Sequence, residues 1–330
     1  MSLQTSSILP RQNLTFSAAS LTVLIAFGAS ALPVPLMSTW TREFGLSTAA
    51  IGMTVLLYVV GNACSLLFFA RLSEVIGRRG AVFISLLFGL SACAFFLAAD
   101  SPAFLMAGRL LQGLACGITT SAAMSWCVDS APPKRSWLAT AVSSSGPLAG
   151  FVIATIGAGV AIETQIAGTR RLFFSVLLLE LMVSVLVFLA SETVTTKSAK
   201  KGILKPSVMP PPGYGRRLAL AATGFVGTSA LTCFFQGFSA RVAEGLWGAD
   251  APIALLSGLV YISLVLPNAL GAFAAAKFPP LKVFAPVGLL YVITGCGTFL
   301  SVAWRLPELF IAFALVCGAT QGALTPASFT

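Results

Sequence analysis

The chain has 330 residues, of which 57% are hydrophobic and 9% charged, with a formal net charge of +10 and a mean hydropathy of +0.94. A water-soluble domain of this composition lacks the polar surface to cover itself, so lipid is the expected solvent. The basic residues lie in short loops between apolar runs and are not interleaved with aromatics, which argues against nucleic acid as a partner.

Ten apolar spans are predicted, at residues 18–37, 49–69, 81–99, 104–127, 138–162, 172–190, 218–238, 252–275, 283–303 and from 309 onward. Runs of about 20 residues match about 30 Å of hydrocarbon as helices. The first span contains Pro33 and Pro35 at its outer end, which read equally as hinge or as packing. Its Ala29-Ser30-Ala31 would pass for a signal-peptidase site, but nine more spans follow and an uncleaved first helix serves as well.

Between the second and third spans lies Ala70-Arg71-Leu72-Ser73-Glu74-Val75-Ile76-Gly77-Arg78-Arg79-Gly80, a short basic turn at a membrane face. Glu74 is placed to cap a helix N-terminus or to pair with an arginine, and Arg78 and Arg79 to anchor on anionic lipid or acidic loops. The fourth span holds Arg109 and Gln112 in Arg109-Leu110-Leu111-Gln112-Gly113 and closes on Asp129, Pro132 and Arg135; Arg109, Gln112 and Asp129 are, with Glu180 below, the transport or coupling candidates. A guanidinium about six residues inside a span costs several kcal/mol unless it meets a polar cavity or a carboxylate, so Arg109 is a functional candidate; the alternative is an arginine snorkelling to the outer interface.

In the fifth span Gly146, Gly150, Ala154 and Ala158 recur every four residues, a face that permits close helix packing, and Pro147 removes a backbone donor and bends the helix. Glu180 lies near the middle of the sixth span with Ser184 one turn on. A carboxyl at that depth is protonated or paired, and serves either as a proton site or as a neutral acid bonded between helices. Residues 191–216 then form a linker with four lysines and four prolines, separating six helices (1–190) from four (217–330). The two parts repeat weakly: Gly61-Asn62-Ala63 matches Pro267-Asn268-Ala269, and Gly113 with Gly117 matches Gly318 with Gly322.

Orientation follows from charge. Of twenty Lys and Arg, fourteen fall in the N-terminal segment and the loops after the second, fourth, sixth and eighth spans and five (Arg42, Arg170, Arg171, Arg241, Arg305) in the other loops, with Arg109 inside a span, which places the N-terminus in the cytoplasm. The tryptophans Trp40, Trp126, Trp137, Trp247 and Trp304 fall at span ends, where indole rings are expected in the headgroup zone. The seven cysteines lie within apolar segments and read as packing residues. There is no histidine, no membrane-embedded aspartyl pair and no glycine-rich phosphate loop, so enzymatic, metal and ATP-driven chemistry find no residues to carry them, and no cofactor is expected.

These motifs resemble, in order, those of the major facilitator superfamily. Ala70, Glu74, Gly77, Arg78 and Arg79 resemble its signature between helices two and three, with Ala70 in place of the first glycine and Val75 in place of a basic residue. Arg109, Gln112 and Gly113 resemble its fourth-helix segment, and Asp129, Pro132 and Arg135 the positions that close that helix. Gly146-Pro147-Leu148-Ala149-Gly150 resembles the fifth-helix motif of the antiporter branch, with Phe151 in place of the final glycine, and Glu192-Thr193 the pair that ends helix six.

The resemblance implies an all-α polytopic fold of six helices plus an incomplete second bundle of four, stopping at the tenth of twelve. It implies a secondary active transporter in the cytoplasmic membrane, moving a small drug-like or metabolite solute outward against protons by rocking two halves around a midplane cavity. In it Gly146, Pro147 and Gly150 would control closure, and the partner of Glu74 near helix eleven would be missing. The alternatives are a proton-coupled importer of a sugar or organic acid, and a truncated, non-transporting remnant. The expected partners are solute, protons and lipid, with no obligate protein partner. Without helices eleven and twelve, Gln236, Asn268 and Gln321 are expected on exposed faces.

Overall fold

The computed structural model describes residues 5–69, 71–132, 137–194, 215–275 and 280–329. They form α1 (Thr5–Ala31), α2 (Pro33–Phe44), α3 (Thr48–Phe68), α4 (Leu72–Ile76), α5 (Arg78–Leu97), α6 (Pro102–Ile118), α7 (Met124–Ser130), α8 (Trp137–Glu163), α9 (Thr169–Leu189), α10 (Gly215–Trp247), α11 (Ile253–Ala275), α12 (Pro280–Ala303) and α13 (Pro307–Phe329), with no strand among the described residues. Every predicted span falls on these helices: the first covers α1 and α2, the fourth runs from α6 into α7, and each of the others lies on one helix.

Helix ends fall where the sequence supplies stops and caps. Gly45 closes α2 at φ 61°, a left-handed conformation that costs glycine nothing, and the extended Ser47 opens α3 by accepting from Ala50 N at 3.1 Å. Pro33 separates α1 from α2 with a single residue between them, and Pro102 begins α6 where its missing donor costs no bond. Between α6 and α7 the backbone widens into a π turn, Thr119–Ala123. The wide turn brings the Thr119 hydroxyl to 2.7 Å from that of Ser85 on α5, and Ser85 also donates to Ala115 O at 2.8 Å.

Eight helical stretches among the described residues are long and apolar enough to cross a membrane, and Ile253–Asn268 is a shorter apolar one. Their surfaces agree: on α9, Met182 and Phe188 face outward while Phe173, Glu180, Val183 and Val187 are buried. The chain is a multi-pass membrane protein. The tryptophans depart from expectation. Trp137 and Trp304 are exposed, but Trp40 and Trp126 are buried, so proximity to a span end did not place those two indoles at an interface. Trp126 packs instead in the apolar core with Ala18, Ala19, Val82 and Val187.

The described helices divide into two compact units. The first holds the chain up to Pro33, Phe44–Ala154 and the region from Gln165 through α9. The second holds Val34–Glu43, Thr155–Thr164 and the helices from α10 onward.

Each unit has a seam of small residues. In the first, α3 meets α6 where Gly61 lies against Leu110 O, Gly113 against Tyr58 O, and Gly117 against Asn62 and Ser65. In the second, α11 meets α13 where Gly318 lies against Leu264 O and Gly322 against Asn268 O. A methyl at any of these glycines would collide with backbone, so the two seams share one solution to close helix packing, and the sequence repeat appears in the fold as the same contacts.

The second unit corrects one expectation. Gln236 and Gln321 are buried rather than exposed, and Gln321 Nε2 donates to Thr232 Oγ1 at 2.6 Å; burying an amide in an apolar interior is costly unless it is bonded. Asn268 is half-buried against Gly322.

Candidate functional site

The polar interior of the first unit is built where α6 meets the C-terminal end of α1. Pro33 has no N–H to give to the carbonyl of Ala29, so that acceptor is left without its helical donor. Gln112 Nε2 takes it at 2.8 Å. One turn back on α6, Arg109 is buried at 1% exposure; its Nη1 donates to Ser30 O at 2.9 Å and to Gln112 Oε1 at 3.1 Å, and its guanidinium stands 4.5 Å from the centre of the Tyr58 ring. Cys116, the next turn on, donates to Ala26 O at 3.5 Å.

One face of α6 therefore grips carbonyls at the C-terminal end of α1, and the aromatic face of Tyr58 on α3 supports the cation. Arg109 lies in the interior, not at an interface. The Ala29-Ser30-Ala31 stretch that resembles a cleavage site is buried helix whose carbonyls hold this cluster.

Glu180 is buried at 2% exposure between α9 and α5. Its carboxyl rests on Gly89, where a methyl would stand 2.5 Å from Oε1, and Oε2 receives Cys93 Sγ at 3.8 Å. Ser184 is not a partner of the carboxyl, since its hydroxyl donates to the backbone oxygen of Glu180 at 2.8 Å.

The remaining motif residues gather at the other end of the same unit. Gly77 adopts φ 98° before α5 and lies directly against the Glu192 carboxylate. That carboxylate accepts from Arg78 N at 2.9 Å and Arg79 N at 3.1 Å, and Oε1 also accepts from Thr193 N and Val194 N. Glu192 thus caps α5, bringing negative charge to free amides at the positive end of the helix. Glu74, read from the sequence as a helix cap or an arginine's partner, is exposed in the first turn of α4.

Arg78 Nε pairs with Asp129 Oδ2 at 3.0 Å and its Nη1 donates to Ser73 Oγ at 2.6 Å, while Thr193 Oγ1 donates to Asp129 at 3.4 Å. Arg79 Nη1 reaches Phe188 O at 3.4 Å and Ala190 O at 3.3 Å, the last carbonyls of α9. Asp129, read from the sequence beside Arg109 as a coupling candidate, sits in this cluster. Ala70 and Arg135 lie outside the described residues.

The fifth-helix motif packs on α1. Gly28 and Gly150 are in backbone contact, Gly146 faces Val23, and Phe27 meets Phe151 edge-on at 5.6 Å; Pro147 lies inside α8 without ending it.

Sequence reasoning missed Cys93 and Gly89, which carry no motif, and the link from Pro33 to Gln112, which needs two helices to be placed. Glu192 was quoted as part of a motif, but its role as a cap was not foreseen.

The sequence profile of the Major Facilitator Superfamily matches residues 19–330. A protein of Bacillus subtilis (strain 168) described as an uncharacterized MFS-type transporter, YybF, is 33% identical over 131 residues, 39% of this chain and 32% of that protein, so the matched stretch spans about a third of that relative. Among solved structures, a bacterial homolog of the human lysosomal transporter Spinster, inward-facing and unoccupied, has a TM-score of 0.71 at 16% identity over 97% of this chain and 74% of its own. The human organic anion transporter MFSD10 (TETRAN) has a TM-score of 0.58 at 15% identity, over 96% of this chain and 89% of its own. At such identities these structures share the fold.

Proposed function

The chain belongs to the Major Facilitator Superfamily, and from that premise we propose that it is a secondary active transporter which exports a small drug-like or metabolite solute in exchange for protons by alternating access. The observation that carries this reading is Arg109, a buried cation held on the carbonyls of a proline-broken helix. An arginine at that depth is too costly to serve packing alone, and its anchor is the point at which α1 is interrupted, so a change in its charge surroundings acts on a helix that bends there. Glu180 is the buried carboxyl among the described residues of the same unit, and in this reading it binds the coupled proton.

Arg78, Arg79, Asp129 and Glu192 fasten the N-terminal end of α5 to α7 and the end of α9, and in this reading they hold the cytoplasmic side of the first unit together. Gly146, Pro147 and Gly150 are its hinge.

The test is counterflow and gradient-driven uptake in inverted vesicles, with ethidium and a panel of aromatic organic cations and acids as probes. An acid vesicle interior drives accumulation of at least one probe if the reading holds. Accumulation driven only by an alkaline interior, or indifferent to the gradient, refutes proton-coupled export.

A further inference from the structure

Glu180 lies in a socket built by another helix. Gly89 on α5 leaves the room its carboxyl occupies, and Cys93, one turn further along the same face, supplies a donor to Oε2 at 3.8 Å. The nearest hydroxyl on its own helix, Ser184, is already committed to the backbone. The sequence singled out neither Gly89 nor Cys93, and the proposed function uses neither.

We propose that Cys93 is a positioning residue for proton exchange at Glu180: its S–H holds the carboxylate in the Gly89 notch, and loss of that bond lets the protonated acid turn out of it. The proposal deepens the reading of Glu180 as the coupled-proton site and rests on it.

The chemistry of the surroundings supports it. A thiol donates weakly and accepts weakly, so it steadies an ionised carboxylate without clamping it, as an arginine or lysine in its place would. The titratable and charged groups that bear on Glu180 are few. From α5 there is Cys93, with Arg78 and Arg79 in its first turn; from α6 there are Cys116 and Arg109. The one ionisable residue of α1 is Arg11, near its N-terminal end, and α9 otherwise carries only Arg170 and Arg171 in its first turn. A single donor therefore has leverage on the carboxyl.

The experiment uses dicyclohexylcarbodiimide on the full chain in lipid nanodiscs over a series of pH values, with labelling of the Glu180 peptide read by mass. The reagent takes the protonated acid: the carboxyl oxygen adds to the central carbon, its proton passes to nitrogen, and the adduct rearranges to a stable N-acylurea. Glu180 is expected to label with a defined midpoint pH. In Cys93→Ala that midpoint is displaced by about one pH unit, a tenfold change in proton affinity, and Cys93→Ser, which keeps a donor, restores most of it.

An unchanged midpoint in Cys93→Ala, or no labelling of Glu180 at any pH, overturns the proposal. Failure of the underlying reading looks different: labelling behaves as described, but Glu180→Gln transports with an unaltered pH dependence.

Discussion

Gln112 donates at 2.8 Å to the carbonyl of Ala29, the acceptor that Pro33 cannot serve. The arrangement joins a defect in one helix to a side chain on another, and each makes sense only through the other: without the proline the carbonyl is occupied, and without the amide it is a buried acceptor left open.

That relationship sets up a double-mutant cycle. Gln112→Ala leaves Ala29 O unpaired in the interior and is expected to cost about 1 to 3 kcal/mol. In a Pro33→Ala background, where an N–H returns to position 33, the same change should cost less than about 0.5 kcal/mol. Unfolding midpoints in detergent for the four proteins measure the coupling; equal costs in both backgrounds would mean that the amide is not serving the freed carbonyl.

Arg109 and Glu180 separate by phenotype. Arg109→Ala removes the cation that grips Ser30 O and is expected to abolish both gradient-driven accumulation and exchange. Glu180→Gln keeps an isosteric side chain in the Gly89 notch while removing the titratable group, so accumulation should be lost and downhill exchange retained. Accumulation that keeps its pH dependence in Glu180→Gln would reduce the glutamate to a packing role.

At the other end of the unit the ranking of two carboxylates is predicted. Glu192 accepts four backbone N–H groups and caps α5, so Glu192→Ala should destabilise by about 1 to 2 kcal/mol. Asp129 pairs with Arg78 at side-chain exposures of 35% and 20%, where solvent weakens an ion pair, and Asp129→Asn should cost less than about 1 kcal/mol. Thermal unfolding of both variants decides the order, and a larger loss for Asp129→Asn would reverse the assignment.

Orientation is tested directly. With the native cysteines replaced, cysteine at Lys201 should react with an impermeant maleimide only from the cytoplasm, and cysteine at Ile166, which is 71% exposed, only from outside. The opposite labelling pattern inverts the topology.

The spans were legible because a helix in lipid must be continuously apolar, and the ten runs translate directly into helices. The motif residues were legible as types, and Arg109 with Gln112 did come together. Their partners were not. Arg109 and Gln112 bind main-chain oxygens, and every residue has one, so no sequence pattern points to Ser30, and Pro33 marks the Ala29 carbonyl as open without showing what fills it. The cap on α5 comes from Glu192, more than a hundred residues away, because the end of α9 returns to that helix, and nothing in the sequence marks that return. Trp126 shows the reverse error: an amphipathic side chain near a span end was assigned to the interface, but the neighbouring helices bury it.

The fifth-helix motif yields the last prediction, because its two readings differ in what they predict for Pro147. A methyl at Gly150 would collide with Leu24 O and stand 2.9 Å from Gly28 N, so α1 and α8 could not keep their present approach. Overpacking of this kind costs about 1 to 3 kcal/mol, and Gly150→Ala should lower the unfolding midpoint whichever reading is right. Pro147→Ala creates no such collision and restores a backbone donor within α8, so on packing alone it should be neutral or stabilising. If Pro147 is the hinge, Pro147→Ala should have the same effect on the unfolding midpoint but reduce transport at least tenfold, because a helix that regains its backbone hydrogen bond still packs but bends less readily. Transport at the wild-type rate in Pro147→Ala would assign the motif to packing alone, and Gly150→Ala then serves as the control showing that the α1–α8 contact itself is required.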